Sequence, residues 1–151
     1  MYRNVKIEHF RGIKSLDVHD FARVNLFVGK NDVGKTTLLE ALFLHAGRYN
    51  PDLPSIVEAI RGKPTKFLLD PLAVWGWLFH NRVTSDPIVI RAADNAGNTR
   101  CLTVRLSSKR RVDASLFSGA VGGSATSDTS AATSPRAFEL LLEYEDEEGR
   151  S

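Results

Sequence analysis

The sequence predicts an α/β domain, and three observations point to it: strand-like alternation near the N-terminus, a switch to helical spacing after Gly34, and a return to alternation after Pro87. Residues 3–10 (RNVKIEHF) place Val5, Ile7 and His9 on one face and Asn4, Lys6 and Glu8 on the other, the period of a half-buried strand. Arg11 and Gly12 turn the chain, residues 13–18 make a second alternating run, and residues 23–28 (RVNLFV) make a third, more apolar one that ends at Gly29. Beyond Gly34, Leu38, Leu39, Leu42, Phe43 and Ala46 follow helical spacing and Leu44 fills part of the other side. This predicts a helix covered by protein over most of its surface, stopped at Gly47 with Pro51 beyond. Residues 54–60 and about 71–79 read as two shorter helical segments, the second with Leu72, Trp75, Leu78 and Phe79 in register. Residues 88–92 and 99–106, joined by the polar turn DNAGN, read as a β-hairpin with Gly97 in the left-handed position. Residues 137–145 return to strand character before the acidic turn 146–149.

Composition agrees with one ordinary globular domain: 151 residues, 42% hydrophobic and 25% charged, with a formal net charge of +2. A chain of this length buries roughly 68–70% of its unfolded surface, so neither disulfides nor a structural metal is needed for stability. Cys101 is the single cysteine, which excludes an internal disulfide and leaves the four histidines no cysteine partner for a zinc cluster. The charge balance is too small to indicate a nucleic-acid or membrane partner by itself. No apolar run reaches a membrane span and the charged N-terminus is unlike a signal peptide, so a cytoplasmic protein is expected. Residues 114–135 are almost entirely Ser, Ala, Gly and Thr, with Asp128 the one charge, and are expected to form a flexible loop or insertion.

The motif that carries chemistry is Gly29-Lys30-Asn31-Asp32-Val33-Gly34-Lys35-Thr36, a match to G-x-x-x-x-G-K-[ST]. Gly29 lets the chain turn out of a strand, and Gly34 removes a side chain where backbone N–H groups converge on a phosphate. The positive end of the following helix adds to the attraction. Lys35 is placed to reach the β- and γ-phosphate oxygens, the Thr36 hydroxyl to complete a Mg²⁺ site, and Thr37 to touch the α-phosphate. Asn31 and the remaining loop residues support the turn. A chance match in a chain of this length has a probability of roughly 0.5%. The strand before it and the helix after it are read from periodicity without using the motif, which disfavours a glycine loop that merely turns the chain. The expected cofactors are therefore ATP and Mg²⁺. A GTPase is disfavoured by the lack of an N-K-x-D guanine-reading motif.

The segments VKIEHFRGIKSLDV and VNLFVGKNDVGKTTLLEALFLHAG resemble the start of ABC-type AAA ATPases of the RecF, SMC and OLD-nuclease kind, in which an N-terminal β-hairpin precedes the phosphate loop. The likeness runs from Tyr2 to about Gly47. The later WGWLF, PIVIRAADNAGNTRCLTVRL and FELLLEYEDEEG segments resemble the antiparallel β-subdomain of such ATPases. The resemblance implies that Arg11 lies near the bound nucleotide. It also implies that two ATPase heads sandwich the nucleotides, as a homodimer, in a DNA-related system such as repair or anti-phage defence.

Hydrolysis requires a carboxylate to complete the Mg²⁺ site and a group to orient water. Residues 67–70 (FLLD) match the first only in part, and Asp70 before Pro71 reads better as a helix N-cap. Glu143, after Leu140 to Leu142, reads better as part of a solvated edge. The chain has no glutamine, so the Q-loop glutamine of the ATPases it resembles is absent from these residues. Leu116 to Ala120 (LFSGA), a loose match to their LSGG signature, lies in a small-residue tract that produces such triplets freely. The expectation is that residues 1–151 are the N-terminal part of one ABC-type ATPase domain whose sheet is incomplete at the C-terminus, with hydrolysis needing elements beyond Ser151. The alternative is a non-catalytic nucleotide-binding regulatory or interaction module. Trp75 and Trp77 read as packing residues, Arg100, Arg105, Lys109, Arg110 and Arg111 as a solvated basic face with possible DNA contact, and Cys101 as a packing or surface residue.

Overall fold

The computed structural model describes residues 1–62, 71–109 and 137–147. Five strands, β1 (Tyr2–Phe10), β2 (Ile13–Val18), β3 (Ile88–Asp94), β4 (Thr99–Lys109) and β5 (Ala137–Glu147), form one antiparallel sheet in the order β2-β1-β3-β4-β5. Because side chains alternate across a strand, the register lines up one apolar row straight across the sheet: Leu16, Ile7, Ile90, Leu102 and Tyr144. A second row runs Ile88, Val104, Leu142. The opposite face carries polar side chains such as Glu8, whose carboxylate lies 3.0 Å from Lys6 and 3.1 Å from Arg91. One buried and one wetted face is the usual state of an antiparallel sheet.

The helices α1 (Lys35–Ala46), α2 (Leu53–Ile60) and α3 (Pro71–Trp75) complete the core with Leu38, Ala41, Leu44, Leu53, Val57, Val74 and Trp75. Gly47 ends α1, its N–H bonding to the carbonyl of Phe43, as its place in the sequence predicts. At the same end His45 is almost wholly buried. Its Nε2–H donates to the Arg100 carbonyl (3.2 Å) and its Nδ1 accepts from the Tyr2 hydroxyl (2.8 Å). Arg48 lies over the rings of Tyr49 and Tyr144, 4.5 Å from each centroid. These contacts tie the end of α1 to β1, β4 and β5.

Three sequence expectations are corrected. Residues 23–28 do not form a strand: among the described residues no backbone pairs with them, and Val24, Leu26 and Val28 are 79–87% exposed. Alternation records which side chains a segment would bury, whereas a strand also needs a ladder partner. The covered helix is also only half covered, since Leu39 and Phe43 of α1 are exposed. The single helix expected over 71–79 is instead α3 followed by tight turns at Gly76–Leu78 and His80–Arg82, because Phe79 is extended and bridges to Phe10. The tract 114–135 lies outside the described residues. No described helix is long and apolar enough to cross a membrane.

Candidate functional site

The glycine loop is built between the exposed segment 23–28 and the start of α1. Gly34 is the N-cap residue of α1 at φ 93°, ψ 10°, a left-handed conformation that glycine adopts at little cost. The first intrahelical bond runs from the Leu38 N–H to the Gly34 carbonyl (2.9 Å), so the N–H groups of the first turn have no partner within the helix. No side chain caps them and no acidic residue sits in that turn, which leaves the positive end of α1 uncompensated. The Lys35 ammonium folds back onto the loop and donates to the carbonyls of Gly29 (2.8 Å) and Lys30. In this position it braces the loop from inside.

Asn31, Asp32, Gly34, Lys35, Thr36, Thr37 and Arg61 line a cavity of about 250 Å³. It adjoins a larger one of about 630 Å³, sharing Asp32, Gly34, Thr37 and Arg61 with it, and this second space extends to Arg11, Gly12 and Ile13 in the β1–β2 turn. Val33 lines the larger cavity. The Lys30 side chain lines neither, and Gly29 takes part through its carbonyl. The sequence-predicted residues 31–37 and Arg11 therefore line two adjoining cavities, while Gly29 and Lys30 line neither and accept from Lys35 through their carbonyls.

Arg11 borders that space, with its guanidinium held by two carboxylates: Nε is 3.0 Å from Glu40 Oε2 and Nη2 is 2.8 Å from Glu58 Oε1. Glu40 also accepts two hydrogen bonds from Arg61, at 2.7 Å and 3.1 Å. This two-point contact is the usual fork of Arg on carboxylate, and it raises the pKa of Arg61 above its ordinary value. The network joins the β1–β2 turn, α1 and the end of α2. Glu40, Glu58 and Arg61 are absent from the sequence expectation, since residues 21 positions apart give no periodic signal.

The remaining candidates fall elsewhere. Glu143 sits half-exposed on the polar face of β5, 3.4 Å from Arg105, and lines neither cavity. Arg100 lies 3.5 Å from Asp146 and 3.9 Å from Asp94, so these two basic residues of β4 face acids, most of them in β5. Cys101 lies partly exposed near Thr103. Asp70, Leu116 to Ala120, Arg110 and Arg111 lie outside the described residues. Trp75 is core, while Trp77 is 41% exposed and lines the larger cavity. No group of three or more His, Cys, Asp or Glu among the described residues is arranged to hold a metal ion.

A glycine loop leading into an uncapped helix N-terminus, with a lysine and two threonines beside one cavity, defines a class of site suited to an anion. The family comparison makes the class specific: residues 1–109 match the AAA ATPase domain, and the chain belongs to that family. Three curated relatives match shorter stretches. An ATP/GTP phosphatase of Helicobacter pylori is 31% identical over 58 residues, 38% of this chain and 16% of that protein. A DNA replication and repair protein RecF of Lactobacillus acidophilus is 46% identical over 43 residues, 28% of this chain and 12% of that protein. An uncharacterized protein of Methanocaldococcus jannaschii is 39% identical over 44 residues, 29% of this chain and 20% of that protein. The chain thus spans a fifth or less of the curated relatives it matches.

Proposed function

We propose that this AAA ATPase domain binds ATP with Mg²⁺ on the loop 29–37. The observation that carries the reading is the left-handed Gly34 at the open start of α1, with Lys35 beside it lining a cavity of about 250 Å³. The residues fit a Mg²⁺–nucleotide. Successive N–H groups and a lysine supply positive charge, and the exposed Thr36 hydroxyl is a metal ligand that lets Mg²⁺ keep most of its waters. Lys35 would exchange its two loop carbonyls for phosphate oxygens, a stronger charge-assisted contact. Arg11 and Arg61 line the larger cavity, their charges balanced by Glu40 and Glu58. Bound Mg²⁺ would neutralise developing charge on the phosphates in the hydrolysing protein.

The second part of the proposal concerns scale. Val24, Leu26, Val28, Leu39 and Phe43 form an exposed apolar set next to the loop, of the kind that further chain or a partner covers. We infer that residues 23–28 become a strand in a larger ATPase head, paired by a backbone outside the described residues. Such a head would act as a dimer and as the motor or switch of a DNA repair or anti-phage system. The RecF name of one relative supports this direction.

One observation favours the second reading, a non-catalytic module: among the described residues Asp32 is the one carboxylate lining either cavity. Glu40 and Glu58 are engaged with arginines. Both readings predict that the isolated chain binds a Mg²⁺–ATP analogue and turns over no ATP above background. Turnover at ordinary ATPase rates, lost in Lys35→Ala, would mean that a carboxylate of this chain completes the site.

A further inference from the structure

The larger cavity has lining residues that the loop 29–37 does not explain. Besides Gly34 and Thr37 it is lined by Trp77, Asn81 and Arg82. The Arg82 guanidinium carbon lies 3.6 Å from the centroid of the Trp77 ring, a stacked cation–π pair at the cavity surface. The neighbouring Trp75 is buried in the core, so the two tryptophans have different duties.

The segment holding this wall is strained and firmly backed. Asn81 and Arg82 are consecutive non-glycine residues at φ 50° and 60°, a conformation that L residues adopt at a cost and that gathers at ligand sites. Phe79 is buried and bridges to Phe10. The Arg11 N–H donates to the Leu78 carbonyl (2.8 Å), and the His80 Nδ1–H donates to the Arg11 carbonyl (2.9 Å). Three contacts therefore fix the wall to the end of β1 and the β1–β2 turn, whose Arg11 and Gly12 line the same space.

We propose that Trp77 and Arg82 form the base-binding wall of the nucleotide site, the base of ATP stacking against this pair while the phosphates lie on the loop 29–37. The larger cavity has the volume of a small-molecule site, and the residues it shares with the smaller one give a continuous path from phosphate to base. An aromatic ring backed by a guanidinium suits a flat heteroaromatic ligand, which gains by stacking whatever its hydrogen-bonding edge. The proposal rests on the nucleotide reading of the loop, and inorganic tripolyphosphate, which has no base, separates the two.

The test titrates the 151-residue chain, Trp77→Ala and Arg82→Ala with a non-hydrolysable Mg²⁺–ATP analogue and with Mg²⁺–tripolyphosphate, following both heat and tryptophan fluorescence. Each substitution is expected to weaken the ATP analogue about 10-fold and to leave tripolyphosphate affinity within about 2-fold. The fluorescence of the unsubstituted chain should change with the ATP analogue, not with tripolyphosphate, and the change should vanish in Trp77→Ala. Trp77→Phe, which keeps a ring, should recover most of the affinity. Unchanged ATP-analogue affinity in both alanine variants, or an equal loss for tripolyphosphate, overturns the base wall while leaving the loop reading intact. Failure of the unsubstituted chain to bind either ligand overturns both.

Discussion

Arg11 and Glu58 meet at 2.8 Å inside the protein, the carboxylate with no exposed surface and the arginine side chain only 10% exposed. The pair joins the β1–β2 turn to α2, and Glu40 contacts the same guanidinium from α1. Removing Glu58 leaves the desolvated guanidinium with Glu40 as its remaining carboxylate partner in this network, at about 1–3 kcal/mol for the unsatisfied donor. Glu58→Gln is therefore expected to lower unfolding free energy by that order in urea titration. An unchanged midpoint would mean that the pair is hydrated in solution.

His45 gives the protein an acid-sensitive joint. Burial pushes its pKa below the ordinary 6.5, and the nearby Arg48 and Arg100 charges add to the effect against the hydrogen bond to the Arg100 carbonyl. The folded state binds fewer protons here than the unfolded state. The stabilisation is therefore fully present above about pH 6.5 and is lost as pH falls through and below that value. Melting temperature measured from pH 7.5 to 5 should fall for the native chain, with a flatter profile in His45→Gln. Parallel profiles would exclude His45 as the cause.

Gly34→Ala isolates the backbone's contribution. A Cβ built on Gly34 meets no atom within 4 Å, so the cost lies in the φ of 93° and amounts to about 1 kcal/mol of stability. The same methyl would enter the space assigned to phosphate. Binding of the ATP analogue should fall more than the small stability change accounts for, and calorimetry with thermal melting separates the two. Equal affinity would place the phosphates elsewhere.

The uncovered apolar set beside the loop makes a separate prediction. Because Val24, Leu26 and Val28 are 79–87% exposed, the triple change to threonine should leave folding stability within about 0.5 kcal/mol. It should also reduce binding of a hydrophobic dye by the isolated chain. A large loss of stability would show these residues to be buried in the chain by itself.

Much of this architecture is legible in the residues. The β1–β2 hairpin follows from strict alternation around Arg11-Gly12, and α1 is bracketed by Gly34 and Gly47. The glycine loop proposed to hold phosphate can be singled out because its groups lie within nine consecutive residues. What escapes the sequence is nonlocal. Whether residues 23–28 become a strand depends on a partner backbone, and the meeting of Glu40 with Arg11 and Arg61 depends on how α1 and α2 pack. The charges of Arg100 and Arg105 suggest a free basic patch until register sets Asp146 opposite Arg100 and places Glu143 beside Arg105. Trp75 and Trp77 show the limit of grouping by type: two positions apart, one enters the core and the other reaches the cavity.

The central claim, that Lys35 and the loop around it hold the phosphates of ATP, is tested most directly by equilibrium titration of a Mg²⁺–ATP analogue into the native chain and Lys35→Ala. Lys35 is partly exposed and bonds only to two loop carbonyls, so its removal should leave circular dichroism unchanged. The account predicts saturable binding by the native chain and none detectable in the variant. Equal affinity in the two proteins would contradict it.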